Sequence, residues 1–183
     1  MAATEQNNEF DPSYRTWARD RLQPTLLDRL TDQNTTRKKD SVSELVISRR
    51  QLRQIIVRDL GWLLNATRME SEVDFKFHSH ARNSTINFGL PAFSGRRATD
   101  VKREELEAEL RQAIIQFEPR IVPDTLQIVG ITMDDTWNAA HNLIMFEIRG
   151  QIWSIPYPIE MLLKSSIDLE SGAVTLQDQL GDN

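Results

Sequence analysis

The sequence predicts an α+β fold, in which two main helices pack on a mostly antiparallel C-terminal sheet and a flexible docking segment precedes them. Two stretches before residue 119 repeat apolar residues every three or four positions, which is the period of a helix. From about residue 126 the period changes to two, which is typical of strands with one buried face. Helices followed by strands favour an antiparallel sheet with its helices segregated to one side.

The first helix is predicted within Glu44–Asn65. Its apolar positions share one face, and they are Leu52, Ile55, Ile56, Leu60 and Leu63. Ser41 with Glu44 matches a capping box, in which a serine and an acidic or amide side chain exchange hydrogen bonds at a helix start. Ser48 is an equally good start, so the sequence leaves two positions open.

Arginines occupy the opposite face of this helix, at positions 49, 50, 53 and 58. A charged face of this kind is usually solvated, and the alternative is a basic patch that binds an acidic partner protein. The sequence leaves both interpretations open.

The second helix has the clearest pattern in the chain. Its apolar face is formed by Leu106, Leu110, Ala113, Ile114 and Phe117. Thr99 or Asp100 is available as the N-cap, since short polar side chains accept hydrogen bonds from the first free N–H groups. Pro119 ends the helix, because a residue that precedes proline is pushed out of the α region.

Between the two helices, residues 67–95 form a long polar segment with turn signals at Asn87–Pro91 and Ser94-Gly95. We expect an ordered loop if Phe88, Leu90 and Phe93 pack against the domain. A loop of this length within a compact domain is usually functional or structured by a partner.

Four alternating runs predict the sheet. The first contains Leu126, Ile128, Ile131 and Met133, and the break in its alternation near Gly130 suggests a β-bulge. The second runs from Ile144 to Ile152, after a loop over residues 134–141, and the third from Ile159 to Leu169. A turn at Glu170-Ser171-Gly172 leads into Val174-Thr175-Leu176 and predicts a closing hairpin.

Domain organisation follows from these elements. Residues 1–40 are predicted to be an N-terminal tail with a docking segment, residues 41–178 an α+β domain and residues 179–183 a C-terminal tail. Within the tail, Leu26, Leu27 and Leu30 form a short apolar cluster that Thr25 is placed to cap. An apolar cluster between polar stretches is typical of a docking peptide, and the alternative is a segment that packs on its own domain.

Composition excludes several classes of function. The chain has 183 residues, a net charge of −5 and no cysteine, which argues against nucleic-acid binding and removes thiolate metal sites and cysteine nucleophiles. No stretch has the roughly 20 apolar residues of a membrane span, and no secretory signal is recognisable. His78 and His80 share a spacing that zinc sites use, but no cysteine or third histidine lies near them, and the closest acids, Glu72 and Asp74, lie in a merely polar stretch. We expect a soluble, cytoplasmic, non-enzymatic protein without a cofactor.

Glu118-Pro119-Arg120 is the most unusual local feature. A carboxylate in the last turn of a helix faces the negative end of the helix dipole, which disfavours it by a few tenths of a kcal/mol or more. The proline holds an acid and a base at a rigid corner, where they pair with each other or with a partner chain. The alternative is an ordinary helix end.

These motifs together resemble the TssE family of type VI secretion baseplate subunits, which is related to the wedge protein of contractile phage tails. The resemblance rests on the order of five segments in the chain: residues 26–32, 58–65, 84–95, 114–120 and 168–174. Residues 114–120 match the family's Glu-Pro-Arg signature. Ala92 departs from the family, in which an acid is frequent at this place, and the first ten residues have no counterpart.

The resemblance implies a baseplate wedge subunit that contacts TssF and TssG beside TssK, is docked at the inner-membrane face, and binds the first ring of the TssB and TssC sheath. Glu118, Pro119 and Arg120, together with Leu26, Leu27 and Leu30, are the expected interface residues. The long alternating strands are expected to leave an edge that nucleates the sheath by pairing with its strands. Because some members are labelled lysozyme-like, a peptidoglycan hydrolase is the main alternative, and a regulatory adaptor that docks only through residues 26–30 is another.

Overall fold

The structure is a computed structural model, and it describes residues 22, 24–31, 47–95, 102–131 and 143–180. The chain divides into two compact units, Met1–Leu52 and Arg53–Asn183. Within the described ranges, no helix is both long enough and apolar enough to span a bilayer.

Helix α1 lies in the first unit and covers only Leu26–Leu30. Thr25 caps it as predicted, because its hydroxyl oxygen accepts a hydrogen bond of 3.3 Å from the backbone N–H of Asp28. Its leucines are exposed to 70, 51 and 74% at positions 26, 27 and 30. An isolated helix of five residues is too short to be stable alone.

Helix α2 covers Arg49–Asn65, so Ser48 is the correct choice of the two predicted starts. Ser48 and Gln51 form the capping box: the N–H of Gln51 donates to the serine hydroxyl at 3.2 Å, and the N–H of Ser48 donates to the Gln51 side chain at 2.9 Å. The alternative start at Ser41 and Glu44 lies outside the described residues. In the second unit, α2 buries Ile56, Leu60 and Leu63.

The segment between the long helices is ordered, as predicted. It contains a short helix α3, Ser79–Arg82, and 3₁₀ turns at Met69–Ser71 and Thr85–Asn87. Leu90 and Phe93 are buried, and the ring of Phe88 meets that of Phe117 edge-to-face with 5.2 Å between centroids.

Helix α4 covers Arg103–Phe117 and buries Leu106, Leu110, Ala113 and Ile114. Its N-cap is Lys102, which makes no side-chain capping bond, so the predicted cap at Thr99 or Asp100 is wrong. Glu104 and Glu105 in the first turn stabilise the positive end of the helix dipole in its place.

The sheet is an antiparallel meander in the order β1-β2-β3-β4. Its strands are β1 Gln127–Ile131, β2 Leu143–Ile152, β3 Ile159–Asp168 and β4 Val174–Asp178. One face carries the buried positions of the two long strands, among them Phe146, Ile148, Leu163 and Ile167. The pairing places Ser165 opposite Phe146 and Leu163 opposite Ile148, so these residues share that face.

The predicted bulge at Gly130 is absent, because β1 pairs with β2 without interruption from Gln127 opposite Arg149 to Ile131 opposite Met145. Gly130 occupies an inward position, and the side chain of Arg103 fills the space beside it. A Cβ atom at residue 130 would lie 2.4 Å from Cδ of Arg103. The break in the apolar pattern therefore marks a glycine under an arginine. Met133 lies outside the described residues.

The two edges of the described sheet are the five-residue strands β1 and β4. The ten-residue strands β2 and β3 are internal, so the expectation that a long strand forms an edge is wrong. Long alternating strands are the ones that bury most apolar area, and a central place in the sheet gives their middle residues partners on both sides.

Candidate functional site

Glu118 is the residue that follows the last turn of α4. Its backbone N–H still donates to the carbonyl of Ile114 at 2.8 Å, but its φ of −121° and ψ of 78° are not helical. The side chain leaves the helix end and is buried, with 4% of the residue exposed. A buried carboxylate destabilises the folded chain unless it is paired. The partner of Glu118 therefore explains why an acid is tolerated at this position.

Arg120 is that partner. Its Nε donates to Oε1 of Glu118 at 2.6 Å, its Nη2 contacts Oε2, and its backbone N–H donates to Oε1 at 3.2 Å. The two-pronged contact is the strong geometry for an arginine and a carboxylate. Pro119 lies at the tip of this turn and is exposed. Of the two predicted pairings, the structure has the one within the chain.

Asp59 of α2 completes the cluster, and sequence reasoning missed it. Its Oδ2 accepts a second bond from Arg120 Nη2 at 2.6 Å, and its Oδ1 accepts bonds from Arg58 at 2.8 and 3.0 Å. The Arg58 guanidinium lies 4.7 Å from the ring centroid of Trp62. A possible signal was the position of Asp59 on the helix, directly before the buried Leu60 and three residues before Trp62.

The cluster holds Arg120 in its charged form. Burial lowers the pKa of the guanidinium, but the hydrogen bonds and negative charges of Glu118 and Asp59 outweigh burial, so that its pKa is raised above the ordinary value. Two acids and two bases therefore form a neutral chain, Glu118–Arg120–Asp59–Arg58, at the end of α4. We call these four residues the corner cluster.

Backbone bonds attach the corner cluster to the sheet. The carbonyl of Arg120 accepts from the N–H of Trp153 at 2.7 Å, and the N–H of Val122 donates to the carbonyl of Gln151 at 2.8 Å. Between them, Ile121 bridges to Ile152 in antiparallel fashion. The segment after Pro119 thus lies against the end of β2. These backbone bonds restrict the motion of the corner cluster.

A comparison with protein families matches residues 50–157, more than half of the chain, to the baseplate wedge protein gp25. The chain belongs to this family. The matched range contains the whole corner cluster as well as Trp62 and Trp153, whereas helix α1 and strands β3 and β4 lie outside it. No curated protein and no solved structure matches the chain.

The corner of this gp25-family chain is suited to holding charges and poorly suited to moving protons. Both carboxylate oxygens of Glu118 accept hydrogen bonds from Arg120, and the residue is buried. A general acid in glycoside hydrolysis must reach the scissile oxygen and keep a proton at neutral pH. Burial and the bonds to Arg120 at both carboxylate oxygens deny Glu118 that access to a substrate.

A polar cleft lies between the segment 68–89 and helix α4. Its lining includes Arg68, Glu70, Arg82 and Gln116, and Glu118 is not among the residues that line it. Both oxygens of Glu70 already contact arginines, at 2.7 Å from Arg82 and 3.5 Å from Arg68. The cleft and the corner cluster are therefore separate features.

The predicted interface residues fall into two groups. Glu118, Pro119 and Arg120 belong to the second unit and form the corner with Asp59. Leu26, Leu27 and Leu30 belong to the first unit, where the structure leaves all three side chains exposed. Large apolar side chains clustered on a surface indicate a binding site more than scattered ones do.

The remaining candidate residues are histidines, tryptophans and the arginines of α2. His78 and His80 are exposed, and among the described residues no group of three potential ligands is placed to hold a metal ion. Trp62 and Trp153 are exposed to 50 and 63%, so neither is a core residue. Trp17 and Trp137 lie outside the described residues. Of the predicted arginine face, Arg53 and Arg58 are engaged within the chain, at Leu180 and Asp59.

Proposed function

We propose that this chain is a non-enzymatic wedge subunit of a type VI secretion baseplate. It binds TssF and TssG beside TssK in the cytoplasm, at the inner-membrane face, and it joins the baseplate to the first ring of the TssB and TssC sheath. The observation that carries the proposal is the corner cluster within a chain of the baseplate wedge family. Its rigid charges suit a contact surface.

The corner supports assembly because it presents groups whose positions are set before binding. Pro119 is exposed at its tip, and Arg120 keeps about a quarter of its side chain accessible. Arginine and tryptophan are enriched in the residues that dominate binding energy, and Trp62 and Trp153 both adjoin the cluster. Preorganised side chains lose less entropy when a partner binds.

Helix α1 supports a second contact. Burial of a leucine side chain contributes roughly 1.5–3 kcal/mol, so three exposed leucines offer a substantial gain on docking. Such a helix matches the way amphipathic segments enter apolar grooves of partner proteins. In the proposed assembly, α1 is the docking segment and the corner orients the domain.

A peptidoglycan hydrolase is the competing function. The paired, buried state of Glu118 opposes it, because a general acid needs access to substrate. Turbidity of purified peptidoglycan is the measurement that separates the two functions. Clearing by the purified chain that Glu118→Gln abolishes would replace the assembly proposal by an enzymatic one.

Co-purification with TssF and TssG tests the assembly proposal directly. We expect Arg120→Ala to weaken capture, and Leu26→Ala, Leu27→Ala and Leu30→Ala together to abolish it. Arg149→Ala is the matched control, since Arg149 pairs with Glu147 on the exposed face of the sheet and is itself 61% accessible. Full capture by both the Arg120 and the leucine variants would refute the two contact surfaces.

A further inference from the structure

The polar cleft between the segment 68–89 and helix α4 has a wall that hydrogen bonds hold in place. Asn87 makes these bonds: its Oδ1 accepts from the backbone N–H of Glu70 at 2.9 Å, and its Nδ2 donates to the carbonyl of Arg82 at 3.0 Å. Asn87 is buried, so its bonds are shielded from water. The side chain therefore fixes the backbone of Glu70 and Arg82 relative to each other before any ligand binds.

Gln116 of helix α4 lines the same cleft and has an unused donor. Its Nε2 is buried, and it has no hydrogen-bond partner among the residues that the structure describes. Buried N–H groups without an acceptor are unfavourable and rare in folded proteins. An acceptor from outside these residues is therefore needed, which is the oxygen of a water molecule or of a ligand.

Arg82 supplies charged donors to the cleft. Its Nε contacts Glu70 at 2.7 Å, and no group of the described residues bonds its two Nη atoms. The side chain is 56% exposed, so these atoms are accessible to a ligand. A guanidinium binds a carboxylate through two parallel N–H···O bonds, which are stronger than bonds between neutral groups.

The charges around the cleft decide which acceptor fits. Among the described residues that line it, Arg68 and Arg82 are positive and Glu70 is negative, so the lining has a net charge of +1. Glu109, outside the lining, binds Arg68 at 2.6 Å and offsets part of this charge. One added carboxylate suits that balance, whereas a phosphate dianion would be repelled by Glu70. An uncharged amide accepts from Gln116 but gains less from Arg82.

We propose that this cleft binds the carboxylate of an aspartate or glutamate side chain of a partner protein, with Arg82 and Gln116 as the donors. None of the described residues that line it belongs to the corner cluster or to helix α1. The cleft is therefore a third contact, separate from the two surfaces proposed above. Because both donors are positioned in the free chain, little entropy is lost when the carboxylate enters.

Two peptides that differ in a single group test the occupant: acetyl-Gly-Glu-Gly-amide and acetyl-Gly-Gln-Gly-amide. Each is titrated into the full chain at constant ionic strength, and the side-chain amide signals of Gln116 in nitrogen–proton correlation spectra report binding. We expect the glutamate peptide to bind about tenfold or more tightly than its glutamine twin, since only the carboxylate forms charge-assisted bonds. The peptides act on the free chain, so the result is independent of capture by TssF and TssG.

The other outcomes contradict the proposal. Equal or tighter binding of the glutamine peptide overturns the choice of a carboxylate. Inorganic phosphate is the third probe, and tighter binding of phosphate than of the glutamate peptide would identify a phosphate site. Absence of any shift with all three probes would show that the cleft holds water only.

Arg82→Gln removes the guanidinium and leaves an amide in its place. We expect it to weaken binding of the glutamate peptide about tenfold. Arg149→Gln is the matched control, because Arg149 is also exposed and paired with one glutamate, Glu147 on the sheet, and it should change binding less than about twofold. Equal losses in both variants would mean that net charge, and not the cleft, attracts the peptide.

Gln116→Leu separates a binding role from a structural one. Since Nε2 has no partner in the free chain, its removal should leave the urea midpoint unchanged or raise it, while peptide binding falls about fivefold or more. The backbone amide signals of Arg82 and Asn83, which also line the cleft, report binding in this variant. A lower urea midpoint together with normal peptide binding would show that Gln116 stabilises the domain and is not a donor to the ligand.

Discussion

At the scale of single residues, the corner cluster shows why an acid follows the last turn of a helix. Removing a carboxylate from water is costly, and Glu118 is nearly completely buried. Two bonds from the Arg120 side chain offset that cost, and Nη2 of the same guanidinium also donates to Asp59. The helix dipole is a minor effect here because the carboxylate lies outside the helix and is bonded.

Arg120→Ala tests this balance. The variant leaves a buried carboxylate without its partner, and we expect the free energy of unfolding to fall by about 2–4 kcal/mol, somewhat below the full effect for a buried pair because Arg120 is partly accessible. Urea denaturation measures it. Arg149→Ala, which breaks an exposed pair with Glu147, should cost less than about 1 kcal/mol. Equal losses in the two variants would show that Glu118 is not stabilised by its pairing.

At the scale of elements, the helical layer does more than cover one face of the sheet. Helix α4 closes the edge of β1 through Glu107 and Arg111, and α2 closes the ends of β4 through Asn65 and Arg53. Exposed edges are templates for uncontrolled pairing, so these side chains limit where the sheet is able to grow. The segment that leads from α2 is itself joined to residue 90 by a parallel bridge at Thr67.

That bridge depends on Gly89. Its φ is +120°, and a Cβ there would lie 2.2 Å from the carbonyl oxygen of Ala66, an atom of the backbone that cannot turn away. We expect Gly89→Ala to lower the free energy of unfolding by about 2–5 kcal/mol, through backbone strain and overpacking together. Urea or thermal denaturation measures the change.

Gly95→Ala is the matched control for this prediction. Gly95 also has a positive φ, of +81°, but an added Cβ meets nothing within 4 Å. It should therefore cost only about 1 kcal/mol, the usual penalty of a left-handed conformation. Similar losses in both variants would mean that the contact with Ala66 does not constrain the segment.

At the scale of the whole molecule, the buried core and the exposed leucines belong to different units. The second unit holds the buried residues of the sheet and of helix α4, while the first unit carries three exposed leucines in helix α1. Side chains exposed to half or more contribute little to folding. In the proposed assembly, their apolar surface forms the contact with a partner.

The combined variant Leu26→Ala, Leu27→Ala, Leu30→Ala tests this separation. We expect its free energy of unfolding to stay within about 0.5 kcal/mol of the unmodified chain. Leu60→Ala is the control, because Leu60 is 1% exposed and its truncation should cost about 2–5 kcal/mol. A large loss in the leucine variant would indicate that α1 packs on its own chain, the alternative that the sequence left open.

The sequence by itself determined the fold class and most element positions, because periodicity depends only on which residues prefer burial. The apolar stripe from Leu106 to Ile114 is one case, and the alternation from Ile159 to Leu169 is another. It also identified Glu118, Pro119 and Arg120 as unusual, since proline and the helix dipole act locally. The sequence of these three residues did not reveal, however, that Asp59 also binds Arg120.

Only the tertiary structure decided which distant groups meet. Asp59 joins Arg120 across 61 positions of the chain, and Asn65 reaches Val174 across 109. Gly130 is a further example. Its break in the apolar alternation suggested a β-bulge, whereas the structure has a regular strand with the Arg103 side chain beside the glycine. Local preferences contain no information on such pairs, because their energies arise only when packing brings the elements together.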